Sequence, residues 1–147
     1  MAILIGVVAL AVLPNIQRSR ESKDIQALDS IASAANAAIA TTQAKGDGVI
    51  DLGVTSGNNA GVTDKPNPST EAEKIQHAIF DTVAAGAGKC ESDVAGDSGV
   101  HIYLVYDVKT KLISVGYVKS APAAKTKITG LACKYLDQTF DVTNAAS

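Results

Sequence analysis

Residues 1–13 read MAILIGVVALAVL, and how this stretch is read decides the fold. It holds no charge and no side-chain hydrogen-bonding group, and Pro14 follows it. The chain then continues NIQRSRESKDIQALDSIASAANAAIATTQAK, charged at first and afterwards rich in alanine. Ile25, Leu28, Ile31, Ala35 and Ile39 recur at intervals of three and four. That spacing lines one side of a helix, with Asp24, Asp29 and Asn36 placed beside it. Residues 27–40 also have good helix propensity. We therefore read one long helix over residues 1–45, apolar at its start, loosened or bent near Pro14 and amphipathic afterwards. Lys45-Gly46 supplies a cationic last turn and a glycine stop. The amphipathic half has a face to bury, so a head formed by residues 46–147 should pack on it.

Thirteen residues make a helix about 20 Å long at ~1.5 Å per residue. A hydrocarbon core needs about 20 residues, so the stretch as it stands is short for a span. Three readings are open. It is the core of a cleaved signal peptide, with Ala9-Leu10-Ala11 as an A-x-A site but no basic residues before it. It is a buried helix of a soluble protein. Or it is part of a longer membrane segment. The polar run Asn15–Glu21, expected where a helix leaves a membrane, favours the third.

The rest of the composition is that of one folded domain with an appendage. Hydrophobic residues make up 46%, enough for a core, and aromatics only 4%, so the core must be aliphatic. A net charge of -2 with no basic block argues against nucleic-acid binding. Cys90 and Cys133, the two cysteines, lack the close spacing of zinc or redox motifs. An even count beside an apolar N-terminus points to one disulfide outside the cytoplasm. The alternative is a pair of unpaired buried thiols.

In the context ILIGVVALAVLPNIQRS, Gly6 and Pro14 resemble the hydrophobic N-terminal helix of type IV pilins and of the related pseudopilins of type II secretion. The resemblance is specific over Ile3 to about Ile31; further on it rests on architecture. It implies an α+β fold in which a long N-terminal helix packs against a small antiparallel sheet. Aligned on Gly6 and Pro14, Met1 falls inside the family's helix. The resemblance therefore implies a truncated N-terminus, lacking about eight residues that include a methylated first residue and a glutamate used in assembly; restored, they lengthen the apolar run to about 21, near the bilayer requirement.

In the head, GDGVIDLGVTSGNNAGVTDKPNP (46–68) reads as an irregular surface loop with a short strand at Val49–Val54. In pilins this segment is the variable, displayed loop. Ser69 or Thr70 caps a second helix, with Glu71 and Glu73 at its positive end and Ala72, Ile75, Ile79 and Val83 along one side. Gly86 and Gly88 end it. VHIYLVYDV and LISVGYV form the clearest strands, a hairpin with Lys109-Thr110-Lys111 at its tip. Ile102, Leu104 and Tyr106 alternate with His101, Tyr103 and Val105, so one face turns inward. A third strand is expected over residues 127–135 and a fourth over 138–142. A Cys90–Cys133 bridge would close a loop of ~40 residues and stabilise by about 3–4 kcal/mol in the chain-entropy model.

Nothing in the chain carries catalytic chemistry. His77 and His101 have no HxxxH or HxH partner. A cysteine–histidine nucleophile would need a free thiol beside a histidine. Nucleotide-binding and hydrolase motifs are missing from the sequence. Glu91, Asp93 and Asp97 are read as a solvated acidic loop rather than a calcium site. Tyr103, Tyr106, Tyr117 and Tyr135 belong to core and sheet surface. No enzyme activity, cofactor or metal is expected.

By resemblance, the chain is a structural subunit of a type IV pilus-like extracellular filament that serves cell adhesion. Ile3, Leu4, Ile5, Gly6, Val7, Val8, Leu10, Val12, Leu13 and Pro14 would form the membrane segment and then the filament core. Gly6 and the alanines would permit close helix approach, and Pro14 would weaken the backbone locally, loosening residues 6–14 in the assembled form. Partners would be identical subunits in a helical filament, and before assembly the cytoplasmic membrane and the pilus assembly machinery. Two alternatives are a pseudopilin of a type II secretion system and a membrane-anchored monomeric binding module acting through the 46–68 loop.

Overall fold

The computed structural model describes residues 2–83 and 86–143, with side chains from residue 15 onward. In chain order the elements are helix α1 (Ala2–Thr42), strand β1 (Asp47–Val54), helix α2 (Glu71–Thr82), strands β2 (His101–Asp107) and β3 (Leu112–Val118), and strand β4 (Asp141–Thr143). The four strands form one antiparallel sheet in the order β1-β2-β3-β4. The fold is α+β: a long N-terminal helix lies on a small antiparallel sheet, and α2 packs beside it.

The periodic stripe forms the centre of the core. Leu28, Ile31 and Ala35 are fully buried, and Ile25 and Ile39 are half-buried against the same cluster. Facing them from the sheet are Leu52, Ile102, Leu104, Tyr106, Val115 and Tyr117. Alanine on the helix lets α1 approach α2 closely, with Ala32, Ala34 and Ala38 buried as well. Ile75 and Ile79 close the layer from α2.

α1 stops earlier than its sequence suggests. Gln43, not Gly46, takes the left-handed conformation, with φ 54°. Gln43 N–H bonds to the Ala40 carbonyl and Ala44 N–H to the Ile39 carbonyl, the paired bonds of a Schellman cap. Ala44 is buried, and that burial helps explain why the chain turns there. α2 likewise ends before its glycines, at Thr82, where Val83 N–H caps the Ile79 carbonyl. Its start is as expected: the Thr70 hydroxyl accepts from Glu73 N–H.

β1 is longer than the sequence suggests, running to eight residues. Its register slips between Asp51 and Gly53. The bulge needs glycine: Gly53 has φ 147°, and a Cβ there would lie 2.2 Å from the Gly61 carbonyl oxygen. The expected third strand over 127–135 does not form. Residues 119–130 instead cross the outer face of the sheet, where Ile128 is buried and its N–H donates to the Ser114 hydroxyl at 2.9 Å. Beyond it only a single bridge, Ala132 to Thr139, pairs the chain with the segment before β4. The edge of β3 is shared, Tyr117 accepting from Leu131 N–H and donating to the Phe140 carbonyl. The close approach is possible because residue 130 is glycine, whose missing Cβ would sit 2.1 Å from the Phe140 oxygen. The expected fourth strand is displaced to Asp141–Thr143.

Candidate functional site: the α1 surface and its clamps to the head

The side chains expected to form a filament core or membrane segment, from Ile3 to Pro14, lie outside the described residues. Their backbone belongs to α1. Among the described residues, no helix is long and apolar enough to cross a membrane. Described burial on α1 begins at Glu21. Asn15, Ile16, Arg18 and Ser19 are exposed, and among the described residues Ile16 and Phe80 are the exposed large hydrophobics.

Two buried acids fasten the helix to the head. Glu21 and Asp24 extend the apolar stripe by the same three-and-four spacing, ahead of Leu28 and Ile31, and are 1% and 3% exposed. The Glu21 carboxylate accepts N–H bonds from Lys134 and Tyr135, the latter at 2.8 Å. The Asp24 carboxylate accepts from Ser92 N–H at 3.1 Å, from the Ser92 hydroxyl at 2.6 Å and from Glu91 N–H at 3.4 Å. The Tyr117 hydroxyl donates to the Asp24 carbonyl at 3.0 Å. Burial raises the Asp24 carboxyl above its ordinary range, and the bonds from Ser92 pull it back. One helix turn thus holds both the 90s loop and the 134–135 turn. The sequence reading placed Glu21 in a polar exit from the membrane and Asp24 beside the stripe. Their shared spacing with Leu28, Ile31 and Ala35 was the signal that could have found them.

Glu71 has a comparable role at the other end of α1. Its carboxylate accepts Lys45 N–H at 3.0 Å, Gly46 N–H at 3.3 Å and the Tyr106 hydroxyl at 3.0 Å. The bond from Lys45 is the main reason its carboxyl falls below the ordinary range. Glu71 therefore joins the end of α1 to α2 and β2.

Cys90 and Cys133 are both thiols in this structure, and the expected bridge between them is not formed in it. The Cys90 thiol donates to the Gly88 carbonyl at 3.3 Å. Burial pushes it up to about 12, with Asp24 adding to the effect, and pushes Cys133 up to about 11, with Glu21 adding. Thiols so raised are poor nucleophiles at neutral pH.

His77 bridges two carboxylates, Nδ1 to Asp64 at 2.7 Å and Nε2 to Asp81 at 3.3 Å. His101 pairs with Asp51 at 3.0 Å. In the 91–97 loop Asp97 is paired with Lys119 at 2.9 Å. Among the described residues no group of three or more His, Cys, Asp or Glu is placed to hold a metal ion.

Compared with known proteins, the chain matches no family model, and no curated protein and no solved structure shows significant similarity to it.

Proposed function

We propose that the chain is the structural subunit of a type IV pilus-like filament, held together by bundling of its N-terminal helices. One observation carries the reading: a single helix, Ala2–Thr42, joins an uncharged N-terminal sequence to a stretch packed into the head. Its second half is an integral wall of the head's core, described burial beginning at Glu21. The uncharged sequence Ile3–Leu13 lies on the same helix, N-terminal to that wall. Such a segment is stable where neighbouring helices or lipid cover it, because it has no polar side chain to offer water. Support also comes from Gly6 and Pro14 in their ILIGVVALAVLP setting and from the exposed Ile16. On this reading the partners are identical copies and, before assembly, a membrane and the assembly machinery. The protein performs no catalysis, and the filament lies at the cell surface.

Negative-stain microscopy of the native product is the test. Filaments of uniform width, lost in Gly6→Glu, are the expected result. A dispersed monomer recovered from membranes overturns the proposal in favour of an anchored binding module.

A further inference from the structure

Two adjoining recesses run along the outer side of α1. The larger, of about 680 Å³, is walled by Ala27, Ser30, Ser33 and Ala37 of α1 and by Thr82 and Val83 at the end of α2. The other, of about 530 Å³, lies where Arg18, Ser19 and Ser22 meet Leu136. Lys23 and Gln26 line both, so the two form one trough, and no carboxylate lines either. Arg18 and Lys23 are exposed, and neither takes part in an ion pair among the described residues.

The complementary charge lies across the helix. Glu91 and Asp93 are exposed and likewise have no cationic partner among the described residues. Their turn is seated on α1 by the Asp24 carboxylate and by Gln17, whose Oε1 accepts Asp93 N–H at 3.4 Å. At roughly 100° per residue, Gln17 and Asp24 point about half a turn away from Ser19, Ser22 and Gln26. The acidic turn therefore faces away from its own molecule's trough. Both charged surfaces can be matched by a second copy approaching from the other side.

We propose that the Glu91–Asp93 turn of one copy docks in the Arg18–Lys23 trough of the next. This rests on the filament reading and names one of its contacts between heads. The contact is heterologous, using different surfaces on the two copies, which is the kind that propagates a filament rather than closing a dimer. Small side chains along the trough let a neighbouring loop approach closely, and the charges set its register.

The test uses charge reversal in the full chain, scored by filament yield under the microscope. Arg18→Glu with Lys23→Glu, and separately Glu91→Lys with Asp93→Lys, are expected to abolish filaments. Combining all four substitutions is expected to restore them. Parent filaments are expected to fall apart as salt is raised, and milder Arg18→Gln with Lys23→Gln, melting like the parent, is expected to lower filament yield already at low salt. Parent filaments unaffected by either reversal overturn this contact and leave the filament reading intact. A parent chain that forms no filament overturns both.

Discussion

At the residue scale, the unusual feature of this protein is a pair of acids inside an apolar seam. Asp24 sits where a leucine or alanine would continue the stripe, yet its oxygens are filled by the Ser92 hydroxyl and by the N–H groups of Glu91 and Ser92. Removing it strands those donors in a buried setting. Asp24→Ala should therefore cost about 1–3 kcal/mol, read as a lower urea midpoint of the purified protein. His77 offers a second check. The hydrogen bond that the His77 ring donates to Asp64 raises the imidazole above its ordinary 6.5, and Asp81 adds to the effect. A raised histidine favours the folded state when protonated. Its stabilisation is complete below about pH 6.5 and is lost as pH climbs through the raised folded value. An NMR titration of the His77 ring should give a midpoint above 6.5 that falls in Asp64→Asn.

At the element scale, helices and strands end where tertiary partners tell them to. α1 stops at Thr42 because Ala44 is drawn into the core and Glu71 collects the next two N–H groups. Lys45-Gly46, a plausible stop by local chemistry, falls just past the real one. β1 keeps pairing with β2 through a bulge, because Gly53 lets the Gly61 carbonyl come close. Gly53→Ala combines a positive φ with a clash against backbone, so it should lower the thermal midpoint by several degrees and disturb the amide signals of Gly61 and Thr63. The predicted strand over 127–135 shows the converse. ITGLACKYL has the composition of a strand, but Ile128 is used to cover the outer face of the sheet. Because the segment crosses the face at Ile128, it reaches the edge of β3 only at Leu131 and makes no continuous ladder there.

For the whole molecule, the described contacts between α1 and the head are made by the later part of the helix. Described burial starts at Glu21, and the bonds that bind α1 to the loops start at Gln17 and Glu21. A chain beginning at Asn15 should thus keep the head's helix and sheet content by circular dichroism and unfold within a few degrees of the parent, while losing any capacity to form filaments. A collapse of the head on that truncation would mean that residues 2–14 belong to its core.

Much of this architecture could be read from the chain alone. The three-and-four spacing of Leu28, Ile31 and Ala35 dictates a helix with a buried side, because helical geometry brings those positions into line. The alternation in VHIYLVYDV dictates a strand with one face inward, and Thr70 with Glu71 and Glu73 announces α2. These are local rules, satisfied by neighbours a few residues away. What needed three dimensions were the contacts between residues remote in sequence: Glu21 with Lys134 and Tyr135, Asp24 with Ser92, and Glu71 with Lys45 and Tyr106. A carboxylate looks the same in sequence whether water or a buried amide satisfies it, and only the folded chain supplies the amide.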